Sequence, residues 1–341
     1  MDRGSFIQHS VMLMGSLVFT RGPAQSHNTI PGVLGPVSLS SLGVTLIHEH
    51  TMVDFIGASE TGVHRYHADA VVETVLPYLI ALKKAGCATF VDCTPAYIGR
   101  DVTILKRLAQ ASGLNIITNT GYYGAAKEKY LPAHAYTETA EQLATRWVGE
   151  FRKGIDGTGI YPGFIKTGVD AGPLTPVCEK LLEAAALAHL QTGLTISAHT
   201  GNGEAALQEL TILQKAGVSP DAFRWVHAQN EKDKQLHLQA ARMGAWIEFD
   251  GINGSDPTGL QQHVDFVVSM KEHNLLNKVL ISHDAGWYHV GEPDGGTFRS
   301  YTALFETFIP ALKREGFTDR DIRQLLVDNP RKSLIIRVRE L

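Results

Sequence analysis

The sequence has only three cysteines, Cys87, Cys93 and Cys178, and no two of them form a CxxC pair. The spacing of a zinc ribbon and the even set of a disulfide framework are therefore both absent, and we expect all three to be core residues. The sequence also lacks any apolar run near the roughly 20 residues that a membrane span requires. We therefore expect no membrane partner.

Clusters of lysine and arginine are absent as well. The 341 residues carry a formal net charge of -4, and the isoelectric point is about 6.4. This gives no electrostatic footprint for nucleic acid or for an anionic membrane surface. Hydrophobic residues make up 44% of the chain, enough to bury a large core. We expect a folded domain whose partner is a small molecule.

The first 27 residues differ in composition from the rest. Arg3 precedes an apolar run over 11–19, and small residues follow at 23–26. This layout is typical of a secretory signal peptide, which predicts an exported, periplasmic protein. The alternative is a disordered leader on a cytoplasmic protein. In either case we predict a leader over 1–27 and a single domain over 28–341.

From Gly43 onward, short apolar runs alternate with longer segments of helical composition. This alternation is typical of βα units. The expected strands are 44–50, 89–95, 116–122, 164–169, 195–199, 224–227, 246–251 and 279–283. The expected helices include 68–85, 137–153, 176–192, 203–216, 232–243, 258–273 and 301–315. Eight βα units in one body predict a (β/α)8 TIM barrel.

Polar side chains stand at the carboxyl ends of five of these strands, where the active sites of such barrels lie. They are His48, His50, Lys166, His199, His227 and Asp284. Isolated histidines at a strand end are often no more than half-exposed polar residues, but six such residues at corresponding levels are hard to explain by packing. Imidazole and carboxylate suit zinc, manganese, iron or cobalt. We therefore predict a site for two divalent metal ions.

Strand alternation places His48 and His50 on the same side of their strand and turns Glu49 away from them. His283 is likewise expected to point to the face opposite Asp284, as a packing or supporting residue. Lys166 needs a separate account, because an ammonium group has no lone pair to give to a metal ion. Addition of carbon dioxide to its amine yields a carbamate, which carries a negative charge.

The motifs that hold these residues resemble those of the phosphotriesterase family of the amidohydrolase superfamily, across essentially 30–330. The segments that carry the resemblance are 45–50, 163–166, 196–201, 226–227, 249–251, 282–284 and 328–330. The resemblance implies a binuclear centre, with zinc as the expected metal. It places His48, His50 and Asp284 on the buried ion, and it places His199 and His227 on the more exposed ion. A carbamylated Lys166 bridges the two.

Within that family, hydroxide held between the ions attacks a carbonyl or phosphoryl centre. Asp284 is then both a ligand and the proton acceptor, and Asp284, Lys166 and His227 are the catalytic candidates. The chain departs from the organophosphate-degrading members at 228–230 and at Gly251, where a relay histidine is missing. We therefore expect an ester or a lactone as substrate. The alternatives are an N-acyl amino acid, an organophosphate triester, or a metal-binding barrel without turnover.

Substrate choice is expected to depend on two loops. Tyr122 or Tyr123, after the third strand, is positioned to hydrogen-bond the substrate, although both are equally compatible with packing of the loop. Trp287 follows the metal ligand closely and would form an apolar wall, while Lys127 or Arg299 would meet a substrate carboxylate. Members of the family are commonly homodimers, which makes a second copy of the chain a candidate partner.

Overall fold

The computed structural model describes residues 28–341, so the predicted leader over 1–27 lies outside the described residues. The described chain opens with an antiparallel hairpin of β1 (Thr29–Gly32) and β2 (Gly35–Ser38). In residues 28–341 there is no helix with the length and apolar character needed to cross a membrane. Cys87, Cys93 and Cys178 are all buried and unpaired, which confirms their prediction as core residues.

The remaining strands are parallel to one another wherever they pair. They are β3 (Thr45–Val53), β4 (Thr89–Asp92), β5 (Asn115–Ile117), β6 (Asn119–Thr120), β7 (Phe164–Val169), β8 (Ile196–Thr200), β9 (Phe223–Val226), β10 (Trp246–Phe249), β11 (Val279–Ile281) and β12 (Gly286–His289). One sheet has the order β12-β3-β4-β5 and the other runs in sequence order from β6 to β11.

The two sheets adjoin at both of their edges. At one edge β5 and β6 flank Thr118, whose carbonyl oxygen accepts a hydrogen bond of 2.8 Å from the nitrogen of Gly163. At the other edge the nitrogen of Asp284 donates to the carbonyl of His48 (3.1 Å), and the nitrogen of His50 donates to the carbonyl of Ala285 (3.0 Å). Successive βα units therefore follow one another around a ring, and the predicted TIM-barrel fold is confirmed.

Helices cover the outside of this ring. They are α1 (Ala68–Lys84), α2 (Val102–Ser112), α3 (His134–Thr137), α4 (Ala140–Lys153), α5 (Pro176–Thr192), α6 (Gly203–Lys215), α7 (Lys234–Met243), α8 (Pro257–Glu272), α9 (Ile309–Arg314), α10 (Asp319–Arg323) and α11 (Asn329–Ser333). The predicted helix over 137–153 begins only at Ala140, because Thr139 and Gln142 form a capping box there. The segment predicted as a helix over 301–315 is a π-helical turn, Leu304–Phe308, followed by α9.

The first barrel strand is longer than predicted. β3 continues to Val53 because β12 pairs with its second half, with Gly286 opposite His50 and Tyr288 opposite Met52. The sequence analysis does not predict β12, which begins irregularly, with positive φ angles of 93° at Gly286 and 71° at Trp287. The pairing places the loop after β11 directly beside the two histidines of β3.

Glu209 on α6 is a fully buried carboxyl group. Its Oε2 lies 2.7 Å from the Thr200 hydroxyl oxygen, which also lies 3.0 Å from the carbonyl oxygen of Ala198. One hydroxyl hydrogen cannot be donated to both acceptors, and a protonated Glu209 resolves the conflict by donating to the hydroxyl. Burial raises the pKa of Glu209 from 4.5 to about 8, so this side chain is neutral at pH 7.

Glu209→Gln is expected to become increasingly stabilising, relative to wild type, as the pH rises. The proton that Glu209 binds in the folded state contributes stability that is complete below pH 4.5 and is lost as the pH rises through about 8. Glutamine mimics the protonated group and does not titrate. At roughly 1.4 kcal/mol per pKa unit, the difference between about pH 5 and about pH 8 is on the order of a few kcal/mol.

Urea denaturation of both proteins at the two pH values measures this difference. Glu183→Gln, an exposed substitution on the neighbouring α5, is the matched control and should leave the pH dependence as in wild type. Wild-type and Glu209→Gln midpoints that move in parallel with pH would show that Glu209 is ionised in the folded protein.

Candidate metal centre

The six predicted metal-site residues come together at one end of the barrel. They all line a single cavity of about 100 Å³, and Tyr123 and Trp287 form part of its wall. The residues lie on or directly after five different strands, at the carboxyl ends where the active sites of such barrels form. Each of the six therefore borders the space that a bound ion would occupy.

His48, His50 and Asp284 form the first group of ligand atoms. His50 Nε2 lies 3.0 Å from Asp284 Oδ1, and His48 Nε2 lies 3.7 Å from the same oxygen. The three ligand atoms are all within 4.8 Å of one another, a grouping that could hold a metal ion. Burial alone would raise the pKa of Asp284, but the nearby imidazoles of His50, His48 and His227 hold it at about 2. Asp284 is therefore ionised at neutral pH.

His199 and His227 form the second group. Their ring centres lie 4.4 Å apart, and the His227 ring centre lies 5.1 Å from that of His48. Burial, reinforced by the neighbouring His227 and Lys166, lowers the pKa of His199 well below its ordinary value. A neutral imidazole offers the lone pair that a metal ion needs. His199 is thus prepared to act as a ligand.

Buried oxygens fix the Nδ1 atoms of three of these rings. His48 Nδ1 lies 2.7 Å from Glu248 Oε1, and His227 Nδ1 lies 2.5 Å from Asp250 Oδ1. His50 Nδ1 lies 2.8 Å from the hydroxyl oxygen of Thr94, whose hydrogen is donated to the carbonyl of Met52. Since Nδ1 is the donor in each case, Nε2 is left free on the side of the cavity.

Asp250 also lies 3.2 Å from His48 Nδ1, so His48, His227 and Asp250 resemble a further ligand group. His227 Nδ1, however, already donates to Asp250 and His48 Nδ1 donates to Glu248, which leaves no nitrogen lone pair between them for an ion. Burial would raise the pKa of Asp250, but His227 and His48 hold it well below its ordinary range. Asp250 and Glu248 orient the ring nitrogens. The sequence analysis missed Glu248, although strand alternation places it on the same side of β10 as Asp250.

Lys166 is the least expected member of the group. It is 2% exposed, and its Nζ has no hydrogen-bond partner among the described residues. A buried ammonium group without a partner is costly. The cost disappears if the amine is converted to an anionic ligand for two cations. The orphaned nitrogen and the free Nε2 atoms around it therefore fit a binuclear metal centre.

The two tyrosines proposed as substrate ligands have different places. The Tyr123 hydroxyl lies 2.9 Å from His199 Nδ1 and faces the cavity, whereas the Tyr122 hydroxyl lies 3.0 Å from His134 Nε2. The Tyr122 ring packs edge-on against Trp147. Burial raises the pKa of Tyr123, so its hydroxyl remains protonated at neutral pH. Tyr123 is at the site, and Tyr122 is a packing residue of the loop behind it.

Trp287 and Arg299 lie together at the rim. The Trp287 ring meets the His50 ring edge-on at 5.8 Å, and the Arg299 guanidinium lies 4.7 Å from the centre of the Trp287 ring. Arg299 is exposed and also donates to the backbone carbonyl of Asp284. Lys127, the other proposed cation, lines a separate cavity of about 250 Å³. Arg299 is therefore the cation beside the wall of the site.

The model of the phosphotriesterase family matches residues 28–334. This chain belongs to the phosphotriesterase family. It is 30% identical to the "phosphotriesterase homology protein" of Escherichia coli (strain K12) over 295 residues, which cover 86% of this chain and 98% of that protein. It is 26% identical to an aryldialkylphosphatase of Saccharolobus solfataricus, with 88% and 98% covered. It is 30% identical to an N-acetyltaurine hydrolase of Dictyostelium discoideum, with 78% and 74% covered.

The protein is thus a phosphotriesterase-family hydrolase, and the family works with a binuclear metal centre. At Gly251, where the chain departs from the organophosphate-degrading members of the family, the neighbouring side chains leave little space for a larger residue. A Cβ atom at this position would lie 2.9 Å from Gln229 Nε2 and 3.1 Å from His263 Nε2. Gln229 in turn donates to Asp250 Oδ1 at 2.8 Å. No larger side chain fits at 251 unless these neighbours move.

Proposed function

We propose that this protein is a binuclear metal-dependent hydrolase that opens carboxylic esters, and lactones in particular. The observation that carries the metal-dependent part is the unpartnered Nζ of buried Lys166 among four imidazoles and one ionised carboxylate. His48, His50 and Asp284 would hold one ion, His199 and His227 the other, and Lys166 as a carbamate would bridge them. Zinc is the first choice for such a nitrogen and oxygen donor set.

Two bound divalent ions supply Lewis acidity and activate water at neutral pH. Side chains of the protein transfer the proton, bind the substrate and close the cavity. Asp284 is ionised and accepts the proton of the attacking water, which it returns to the leaving group. Tyr123 keeps its hydroxyl hydrogen and is placed to donate it to a substrate oxygen. Trp287 closes one side of the cavity and limits the access of solvent.

The departures from the organophosphate-degrading members at 228–230 and at Gly251 support a lactone over a phosphotriester. In a lactone the acyl part and the leaving group share one ring, so a single compact site holds both. Val53, Ile98 and Trp287 give this site apolar walls.

The test is kcat/KM of the zinc-reconstituted full chain on matched lactones, aryl acetates, N-acetyl amino acids and dialkyl aryl phosphates. The highest value is expected with lactones. If kcat/KM is highest with the phosphates, the proposed substrate class is wrong. If none of the four classes shows zinc-dependent turnover, the proposal of metal-dependent hydrolysis is wrong.

A second candidate, hydrolysis of an N-acylated amino acid or a similar anionic amide, is favoured by Arg299. Its guanidinium is stacked on Trp287 and exposed at the rim, where it can pair with a carboxylate or sulfonate. The N-acetyltaurine hydrolase among the relatives bears the name of such a substrate. The same four-class comparison distinguishes this candidate from the first.

Arg299→Gln is expected to change the selectivity between anionic and neutral substrates. A hydrogen bond to a charged group contributes about 1.5–3 kcal/mol, so the ratio of kcat/KM for N-acetyl amino acids to that for neutral lactones should fall roughly 10- to 100-fold. The effect should appear mainly in KM for the anionic substrate. Lys127→Gln, in the separate cavity, is the matched control. An unchanged ratio would remove Arg299 from substrate recognition.

A further inference from the structure

The carboxylate of Glu49 holds the chain on both sides of Asp284. Glu49 is fully buried between the two histidines of β3. One of its oxygens, Oε1, accepts hydrogen bonds from the Ser282 hydroxyl (2.8 Å), the His283 backbone nitrogen (3.0 Å) and His283 Nδ1 (2.6 Å). The other, Oε2, accepts from the Ala285 nitrogen (2.9 Å). Every residue that flanks Asp284 is thus bound to one side chain.

Asp284 needs such support because of its backbone conformation. Its φ angle is 50°, in the left-handed region that residues other than glycine rarely adopt. A conformation of this kind persists only where the surrounding structure fixes it. The nitrogen of Asp284 donates to the carbonyl of His48, and the Glu49 carboxylate holds the residues before and after it. These contacts place the Asp284 carboxylate 3.0 Å from His50 Nε2.

His283 extends this network outward. Its Nε2 accepts a hydrogen bond of 2.9 Å from the nitrogen of Leu304, the first residue of the π-helical turn. Nδ1 must therefore carry the ring hydrogen and donate it to Glu49. The three N–H donors around Glu49 have fixed directions, two toward Oε1 and one toward Oε2, so both carboxylate oxygens are needed as acceptors.

We propose that Glu49 is the positioning residue of Asp284: it fixes the backbone that aims the Asp284 carboxylate at the metal centre. This inference rests on the function proposed above, in which Asp284 is a metal ligand and proton acceptor. It assigns to the middle residue of His48-Glu49-His50 a task as specific as that of its neighbours. The strand presents two side chains to the metal centre and, on its other face, one to the loop that supplies a third ligand.

The test is Glu49→Gln, which preserves volume and removes one acceptor oxygen. If the amide oxygen faces His283, the NH2 group meets the N–H of Ala285. If the amide is turned around, its NH2 group meets the backbone N–H and the Nδ1–H of His283. Neither orientation satisfies all donors. Residues that orient metal ligands typically contribute 10- to 100-fold, so kcat should fall about 10- to 100-fold, with a much smaller change in KM.

The second readout is independent of activity. Zinc release from the reconstituted protein to a coloured chelator should be about 10- to 100-fold faster for Glu49→Gln than for wild type. Glu150→Gln is the matched control, because Glu150 on α4 is a carboxylate that pairs in two-point fashion with Arg100 (2.9 and 2.7 Å) away from the cavity. The control should release zinc at the wild-type rate.

A folded Glu49→Gln protein with wild-type kcat and wild-type zinc release would overturn the proposal. If the wild type binds zinc but turns over none of the substrates, the proposed function fails, while faster zinc release from Glu49→Gln still supports the positioning role. Should Glu49→Gln not fold, His283→Phe removes the Nδ1 donor to Glu49 together with the Nε2 acceptor of the Leu304 nitrogen, and it retains an aromatic ring. It is expected to accelerate zinc release in the same direction, and an unchanged rate would overturn the proposal.

Discussion

Lys166→Ala is expected to abolish binding of at least one of two zinc ions and to reduce kcat/KM by about 1,000-fold or more. The magnitude follows from the several kcal/mol of charge stabilisation that a metal ion supplies, at about 1.4 kcal/mol for each factor of ten. The physical reason is the place of the side chain: Lys166 is 2% exposed and has no hydrogen-bond partner among residues 28–341. The proposed conversion to an anionic ligand would give this buried nitrogen partners in the two bound ions.

The conversion itself can be tested. Carbamate formation joins the Lys166 nitrogen to carbon dioxide and, starting from the ammonium form, releases two protons, so zinc uptake by the metal-free wild type should accelerate when bicarbonate is added. Lys166→Ala should show no such acceleration. Lys180→Ala is the matched control, since the Lys180 ammonium donates to the backbone carbonyls of Tyr136 and Glu138 outside the cavity. Full zinc content and turnover in Lys166→Ala would eliminate the bridging role.

The barrel and the convergence of the six candidate metal-site residues could be predicted because they depend on short-range patterns. The strand over 164–169 and the helix over 176–192 have the predicted bounds. An apolar strand interrupted by Lys166 is conspicuous, and histidines at the ends of strands point to one end of the barrel. These patterns can be identified in the sequence without knowledge of any long-range contact.

The orienting contacts could not be predicted in the same way, because each joins residues far apart in the chain. Glu248 meets His48 across 200 positions, and Glu49 meets His283 across 234. Alternation indicates on which face an acidic side chain lies, but not which ring it will meet. The sequence placed Glu49 away from the metal-facing side of its strand, and only the structure shows the loop that it binds there.

The choice between Tyr122 and Tyr123 shows a second limit of prediction from the sequence. The strand was predicted to run to residue 122, but β6 ends at Thr120 and Gly121 follows with a φ angle of 111°. Alternation stops where the strand stops, so it cannot decide which tyrosine faces the cavity. A Cβ atom at 121 would lie 2.2 Å from the carbonyl oxygen of Lys166, so the turn that directs Tyr123 inward requires glycine.

Asp284→Asn is expected to lower kcat by about 100- to 10,000-fold, the range that a positioned proton acceptor contributes. Asparagine retains the volume and tolerates the left-handed φ of 50°, so the loop should remain as it is. The amide oxygen cannot accept the proton of the attacking water, which the ionised Asp284 carboxylate is proposed to accept and return to the leaving group. The loss should therefore be greatest for substrates with poor leaving groups, and KM should change far less than kcat.

The measurement is kcat across aryl acetates of graded leaving-group pKa, with zinc content determined for each protein. Asp170→Asn is a suitable control, because the Asp170 carboxylate accepts from the backbone nitrogens of Ala126 and Lys127 beside the other cavity. If Asp284→Asn keeps its zinc and its kcat depends on the leaving-group pKa as that of the wild type does, Asp284 acts only as a metal ligand. A steeper dependence with zinc retained separates its two roles, since only proton transfer responds to the leaving group.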